Sequence, residues 1–295
     1  MYSACVADAA TRRLFARAVK AGEERDYGQA VQLLTALLAQ TDSIPEALLY
    51  LGRARHALGE HGLAIDAFRQ YLKGGGEEAA GFFFLGRSYL ALGRLDAAVS
   101  CLKRSVQTEP NRPHTWAILG AALLKLRRTK AAMDCLERAV GMAPADRRIY
   151  RGYLNAAFAR GVRLLARGDA DLARQLLTFA IDNGLDATAS RLWRARAYRE
   201  LGRPAEALAD CEAALGRSPD DASIRWLRAG LLLATGRQAD AMAEFDSIRA
   251  SDPSLPSLPA DDRSLARLRA SVAFREERWR EAASASLARA AEKEA

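Results

Sequence analysis

Leu51-Gly52-Arg53 is followed 34 residues later by Leu85-Gly86-Arg87, and the same step leads on to Leu119-Gly120-Ala121. The step also runs backwards, from Gly52 to Ala18. After Gly120 the register lengthens once, by 41 residues, to Gly161, then returns to 34 for Ala195 and Ala229. A second step of 41 reaches Ala270. All of these marks are Gly or Ala, and each is followed 12 positions later by a second small residue: Ala30, Ala64, Ala98, Ala132, Ala173, Ala207, Ala241 and Ala282. Self-similarity at a fixed period of this length is the signature of a repeat array, in which no unit buries its apolar face alone.

The residues between the marks say what each unit is. Apolar side chains recur at helical spacing, as in Leu48, Leu51 and Leu58 and then Ile65, Phe68 and Leu72. A turn of Gly plus a polar residue lies between the two small marks, as at Gly59-Glu60, Gly93-Arg94, Gly168-Asp169, Gly202-Arg203 and Gly236-Arg237. Gly just past a helix permits the left-handed cap and a sharp reversal. Small residues on facing helices let two backbones approach closely. Pro45, Pro110, Pro144, Pro219 and Pro253 stop one unit before the next begins. Each unit therefore reads as two antiparallel helices.

Trp116, Leu119, Gly120, Ala132, Leu136, Ala139 and Pro144 resemble the tetratricopeptide repeat pattern, and Phe82, Leu85, Gly86, Tyr89, Ala98 and Pro110 resemble it again. The resemblance implies an all-α, right-handed α-solenoid of about eight such repeats. On this reading residues 1–10 are an N-terminal segment and 11–253 hold repeats one to seven. Residues 254–262 form a proline-containing loop, and 263–295 form repeat eight with a C-terminal cap. The first seven-residue excess, around 147–153, carries Arg147, Tyr150, Arg151 and Tyr153 and reads as an elongated first helix in repeat five. It is a simple extension or a projecting basic and aromatic contact element. The second, Ser254-Leu255-Pro256-Ser257-Leu258-Pro259-Ala260, cannot be a continuous helix because of its two prolines.

Composition narrows the class. Half of the residues are hydrophobic, too many for a disordered chain, yet no apolar run is long enough to span a membrane. Residues 1–10 lack the basic start and apolar core of a secretory signal. The four cysteines, Cys5, Cys101, Cys135 and Cys211, form no C-x-x-C and no even framework, which predicts a reducing, cytoplasmic setting. Arginine outnumbers lysine 38 to 6, a bias expected of a GC-rich bacterial genome, so an arginine is not functional by default. The net charge of +8 is concentrated between His114 and Arg203, where 17 Lys and Arg face 8 Asp and Glu. Such a basic middle predicts an acidic partner.

No catalytic constellation is present, so the chain reads as a non-enzyme without cofactor or metal. His56 and His61 are five apart across a helix end, not at the spacing of a helical metal pair. Cys101 and Cys135 fall at equivalent places on neighbouring second helices and read as small hydrophobes. The triple glycine at Gly74 is an inter-repeat loop with no phosphate-loop Lys-Ser/Thr after it.

By resemblance to the family, the first helix of each unit lines a concave groove where peptide partners lie. The groove places here hold Tyr50, Arg53, Phe83, Phe84, Arg87, Phe158, Trp193, Arg196, Arg199 and Trp226. Aromatic and arginine anchors are the side chains enriched at binding hot spots, and arginine offers a fork to carboxylates. The rings at 83, 84 and 193 also suit packing between helices. The Lys and Asn clamp with which some family members hold chaperone tails is missing, since Phe15 and Val19 occupy its places in repeat one. The expected function is a scaffold or adaptor binding a peptide or helical segment of a partner, acidic in character, in the groove. The alternatives are a recruiting domain of a larger enzyme such as a transferase, or RNA binding by the basic middle repeats. The sequence specifies no oligomeric state.

Overall fold

The computed structural model describes residues 9–40 and 44–252. The proline-containing loop, repeat eight, Cys5 and the N-terminal segment before residue 9 lie outside the described residues. Among the described residues there are 14 α-helices and no strand. They follow in order as α1 (Ala9–Glu23), α2 (Tyr27–Gln40), α3 (Pro45–Ala57), α4 (His61–Lys73), α5 (Glu78–Ala91), α6 (Leu95–Thr108), α7 (Pro113–Lys125) and α8 (Thr129–Met142). Then come α9 (Arg147–Ala166), α10 (Ala170–Asp182), α11 (Thr188–Glu200), α12 (Pro204–Leu215), α13 (Ala222–Ala234) and α14 (Gln238–Ser251). The contacts divide the chain into two units, with the division falling between residues 127 and 150.

In the first unit each helix from α1 to α7 packs on the next, and the odd helices also touch one another: α1 on α3, α3 on α5 and α5 on α7. The odd helices thus form one continuous layer. In the second unit α10 to α14 pack in succession, and α11 touches α13 in the same way. Both units are stacks of helical hairpins.

The small residues at the period marks sit where helices cross. Ala18, Ala30, Ala64, Ala98, Ala132, Ala173, Ala195, Ala207, Ala229 and Ala241 are buried. At Gly52 an added Cβ would lie 2.5 Å from the Phe68 ring, and at Gly86 it would lie 2.6 Å from Leu102 Cγ. A side chain there collides with the facing helix of the same hairpin, which is why the sequence keeps these places bare. The turn glycines Gly59 and Gly93 take φ of 81° and 73°. The corresponding turns of repeats one and four place Arg25 and Arg127 in the same left-handed region, at φ 64° and 61°. Pro45, Pro113 and Pro204 open α3, α7 and α12, where the missing N–H leaves no helical bond unmade.

Helix α9 is 20 residues long, against 12 to 15 for the others described. Its added rings are tied to α10. The Tyr150 hydroxyl donates to Asn183 Oδ1 at 2.8 Å, and the Tyr153 ring meets Phe179 edge-on with centroids 5.7 Å apart.

Candidate binding groove of the first helices

In the first unit, α1, α3 and α5 wall a cleft of about 300 Å³. Its lining includes Tyr50, Arg53 and His56 from α3 and Phe84 and Arg87 from α5. Arg53 and Arg87 stand one repeat apart. The Arg53 guanidinium carbon lies 5.1 Å from the Tyr50 ring centre and 5.6 Å from that of Phe84. The Arg87 guanidinium carbon lies 5.7 Å from the Phe83 ring and 6.0 Å from the Phe84 ring. Phe84 thus serves both cations, and it stacks on the core residue Phe68 with centroids 5.4 Å apart. Tyr50 is held edge-on by Phe15 of α1 at 5.6 Å. The rings therefore pack between helices on one side and carry a guanidinium on the other, joining both roles that their sequence positions allowed.

Arg53 and Arg87 line this cleft together with one carboxylate, Glu23 in the last turn of α1. Among the described residues no carboxylate lies within ion-pair distance of Arg53 or Arg87. Burial and the neighbouring Arg53 charge lower the pKa of Arg87. Burial, Arg87 and His61 together push His56 down to about 4, so its imidazole is neutral near pH 7. Its Nδ1 lies 3.0 Å from the buried Ser88 hydroxyl, and its ring centre is 4.9 Å from that of His61. The fold thus brings together two histidines that sequence spacing sets apart. Among the described residues, however, no group of three or more His, Cys, Asp or Glu is placed to hold a metal ion.

The second unit presents the opposite pattern. Arg194 makes a two-pronged contact to Asp210, with Nε to Oδ2 and Nη2 to Oδ1 both at 2.7 Å. Arg191 bonds Asp186 through Nε at 2.6 Å and reaches Asp210 at 3.2 Å, and Arg217 also bonds Asp186 at 2.6 Å. One repeat later, Arg225 and Arg228 face Glu244 at 3.8 and 3.2 Å, and Arg225 faces Asp220 at 3.6 Å. Asp186, Arg191, Arg194 and Asp210 recur after 34 residues as Asp220, Arg225, Arg228 and Glu244, whereas the place of Arg217 is taken by Ser251. The two guanidiniums hold the Asp186 carboxyl well below the usual carboxylate range. Writing the repeats in register would have exposed the ladder from sequence. In repeats three and four the same places hold Phe82, Leu85 and Cys101, and Trp116, Leu119 and Cys135. Those interiors are apolar, with Arg104 over Phe82 at 4.1 Å and Arg138 over Trp116 at 5.0 Å.

The remaining sequence candidates divide. Arg196 lies over the half-buried Trp193 ring at 4.5 Å, and Arg199 pairs with Glu200 at 3.0 Å. Phe158 is half-buried on α9. Trp226 is not on a groove wall. It is 5% exposed and packs edge-on against Phe245 at 5.9 Å, in a core cluster with Ala229, Ala241, Met242 and Ile248. The small Ala229 and Ala241 open the space that the indole fills. The structure thus corrects the groove assignment for Trp226.

Stacked helical hairpins with small residues at their crossings define a helical-repeat protein. The sequence profile of the tetratricopeptide repeat matches at residues 14–80, 84–147, 158–222 and 194–256, and the chain belongs to that family. No curated protein matches it. Solved structures share the fold. A tetratricopeptide repeat protein from Parabacteroides merdae is 17% identical, with 89% of this chain and 98% of that one covered and a TM-score of 0.50. The C-terminal part of a repeat protein from Cytophaga hutchinsonii is 15% identical, with coverage of 85% and 98% and a TM-score of 0.60. YrrB, described as having an unusual peptide-binding site, is 20% identical over 60% of this chain and 88% of its own, with a TM-score of 0.51. Among the described residues no helix is long and apolar enough to cross a membrane.

Proposed function

We propose that the chain is a non-catalytic scaffold or adaptor of the cytoplasm, and that it binds an acidic peptide or helical segment of a protein partner in the groove of α1, α3 and α5. One observation carries this reading. Arg53 and Arg87 share an aromatic bed, Arg87 half-buried, and among the described residues no carboxylate lies in ion-pair distance of either. The buried acids of the second unit, by contrast, each have an arginine within 4 Å. A desolvated guanidinium without a counter-ion is costly, and a carboxylate brought by a partner relieves that cost. The rings supply desolvated contact area and the arginines supply orientation. The peptide-binding site ascribed to YrrB is a precedent for peptide binding by a protein of this fold.

A pull-down from the source cells, followed by calorimetry with the captured partner, tests the proposal. Replacing Arg53 and Arg87 by Ala should weaken binding by roughly 2–5 kcal/mol where the pair becomes buried on association. Thermal stability should hold, because among the described residues neither arginine makes an ion pair. Unchanged affinity with the fold retained would move the site off this groove.

A further inference from the structure

The cleft beside Arg53 and Arg87 has a second feature that the arginines do not explain. Twelve places into repeat one stands Gly22, in the last turn of α1. The same place holds His56, Leu90, Leu124, Leu165, Arg199 and Leu233 in repeats two to seven. Repeat one is bare where the others carry a long side chain. The backbone does not demand the glycine: the left-handed residue of that turn is Arg25, and Gly22 is not among the positive-φ glycines. Packing does not demand it either, since a Cβ built on Gly22 meets nothing within 4 Å. Glycine near a helix end with room above it and no special φ lowers helix stability relative to alanine. What it does here is leave space in the cleft, whose lining it shares with Val19, Ala57 and Arg53.

Resting on the groove reading above, we infer that this space seats one bulky apolar side chain of the acidic partner segment, with a carboxylate one or two residues away on Arg53 and Arg87. The floor is apolar and built from small residues, Ala18, Ala30 and Ala54 among them. The rim carries Arg53 and Arg87 together with Glu23, and among the described residues no carboxylate makes an ion pair with either arginine. A cleft of about 300 Å³ has room for a leucine-sized side chain and for part of the segment beside it. An extended chain advances about 3.3–3.6 Å per residue, so the apolar and acidic groups must be near neighbours in the partner. The cleft thus distinguishes an apolar–acidic step from a merely acidic run, which a pair of surface arginines alone would not.

The test uses fluorescein-labelled short Gly-Ser peptides with a central Leu-Glu-Asp, Ala-Glu-Asp or Leu-Gln-Asn, titrated by anisotropy with the full chain. Wild type should bind the first about tenfold or more tighter than the second, the loss expected from failing to bury a leucine side chain. It should bind the third weakly. Gly22→Leu places a side chain of the protein's own in the seat. Its circular dichroism should match wild type, and it should bind the Leu and Ala peptides equally, at the weaker affinity. Replacing Arg53 and Arg87 by Ala should abolish the preference for acid over amide. Equal binding of Leu-Glu-Asp and Ala-Glu-Asp by wild type overturns this inference while leaving the acidic groove standing. So does a leucine preference that survives Gly22→Leu. Failure to distinguish Leu-Glu-Asp from Leu-Gln-Asn, or to bind any of the three, overturns the groove reading itself.

Discussion

The close helix crossing at Gly86 permits a test in which one substitution type has opposite signs at two places. Gly86→Ala adds a Cβ 2.6 Å from Leu102 Cγ, 2.9 Å from Leu102 Cδ2 and 3.3 Å from the Ala98 carbonyl oxygen. The first two contacts can relax only if the fully buried Leu102 moves, and the third involves backbone. Overpacking of this kind costs typically about 1–3 kcal/mol. Against it stands the helix preference of Ala over Gly, about 1 kcal/mol in a helix interior. The net is a loss of up to about 2 kcal/mol. Gly22→Ala meets nothing within 4 Å and keeps only the preference term, a gain of about 0.5 kcal/mol in a last turn. Urea denaturation followed by far-ultraviolet circular dichroism reads both. With an m-value near the top of the usual range, the Gly86→Ala midpoint should fall by up to about 0.7 M and the Gly22→Ala midpoint should rise slightly. The notional Gly86→Leu change should fall further than Ala. If both alanine variants rise together, only helix propensity is being felt, and the packing of α5 on α6 is misplaced.

Three further outcomes follow from the second unit and the turns. Arg194→Leu leaves the 3%-exposed Asp210 with only the longer Arg191 contact, and should cost about 3–5 kcal/mol in denaturant melts, most of it recovered by adding Asp210→Leu. Arg25→Gly relieves a left-handed residue with no glycine and should raise stability by about 0.5–1 kcal/mol, and an unchanged or lower urea midpoint would argue against that turn geometry. Asp186, whose folded pKa is depressed, contributes stability that is fully present above the unfolded carboxylate value of about 3.9 and is lost as pH falls through the lower folded value. Acid titration of Asp186→Asn should therefore show a shallower loss of stability below about pH 4 than wild type, and parallel curves would contradict the pairing with Arg191 and Arg217.

The fold was legible because a period of 34 and its small residues are local facts of the chain. Gly52 and Gly86 needed no knowledge of Phe68 and Leu102 to be noticed. The site was legible only in part. A helix place says which way a side chain leaves its own helix, and what covers it depends on a partner helix with residues of its own. Arg53, Arg87, Phe83 and Phe84 came together as their equivalent places suggest. Trp226 did not, because Phe245 on α14 and the gap between Ala229 and Ala241 took it into the core. The absence at Gly22 was harder still to see, since a missing side chain acquires meaning only against the filled places of the other repeats and the space around it.

The charge ladder of repeats six and seven makes those hairpins interchangeable parts of a private kind. An Arg-Arg-acid interior demands a matching acid at one fixed place on the second helix, so the first helix of repeat six should accept the second helix of repeat seven, which brings Glu244 for Asp210. Joined to the second helix of repeat three, which brings Cys101 at that place, it would leave the Arg194 guanidinium without its acid, while Arg191 kept Asp186. Recombination of hairpins within this gene is therefore free between some neighbours and barred between others, although all of them share one backbone.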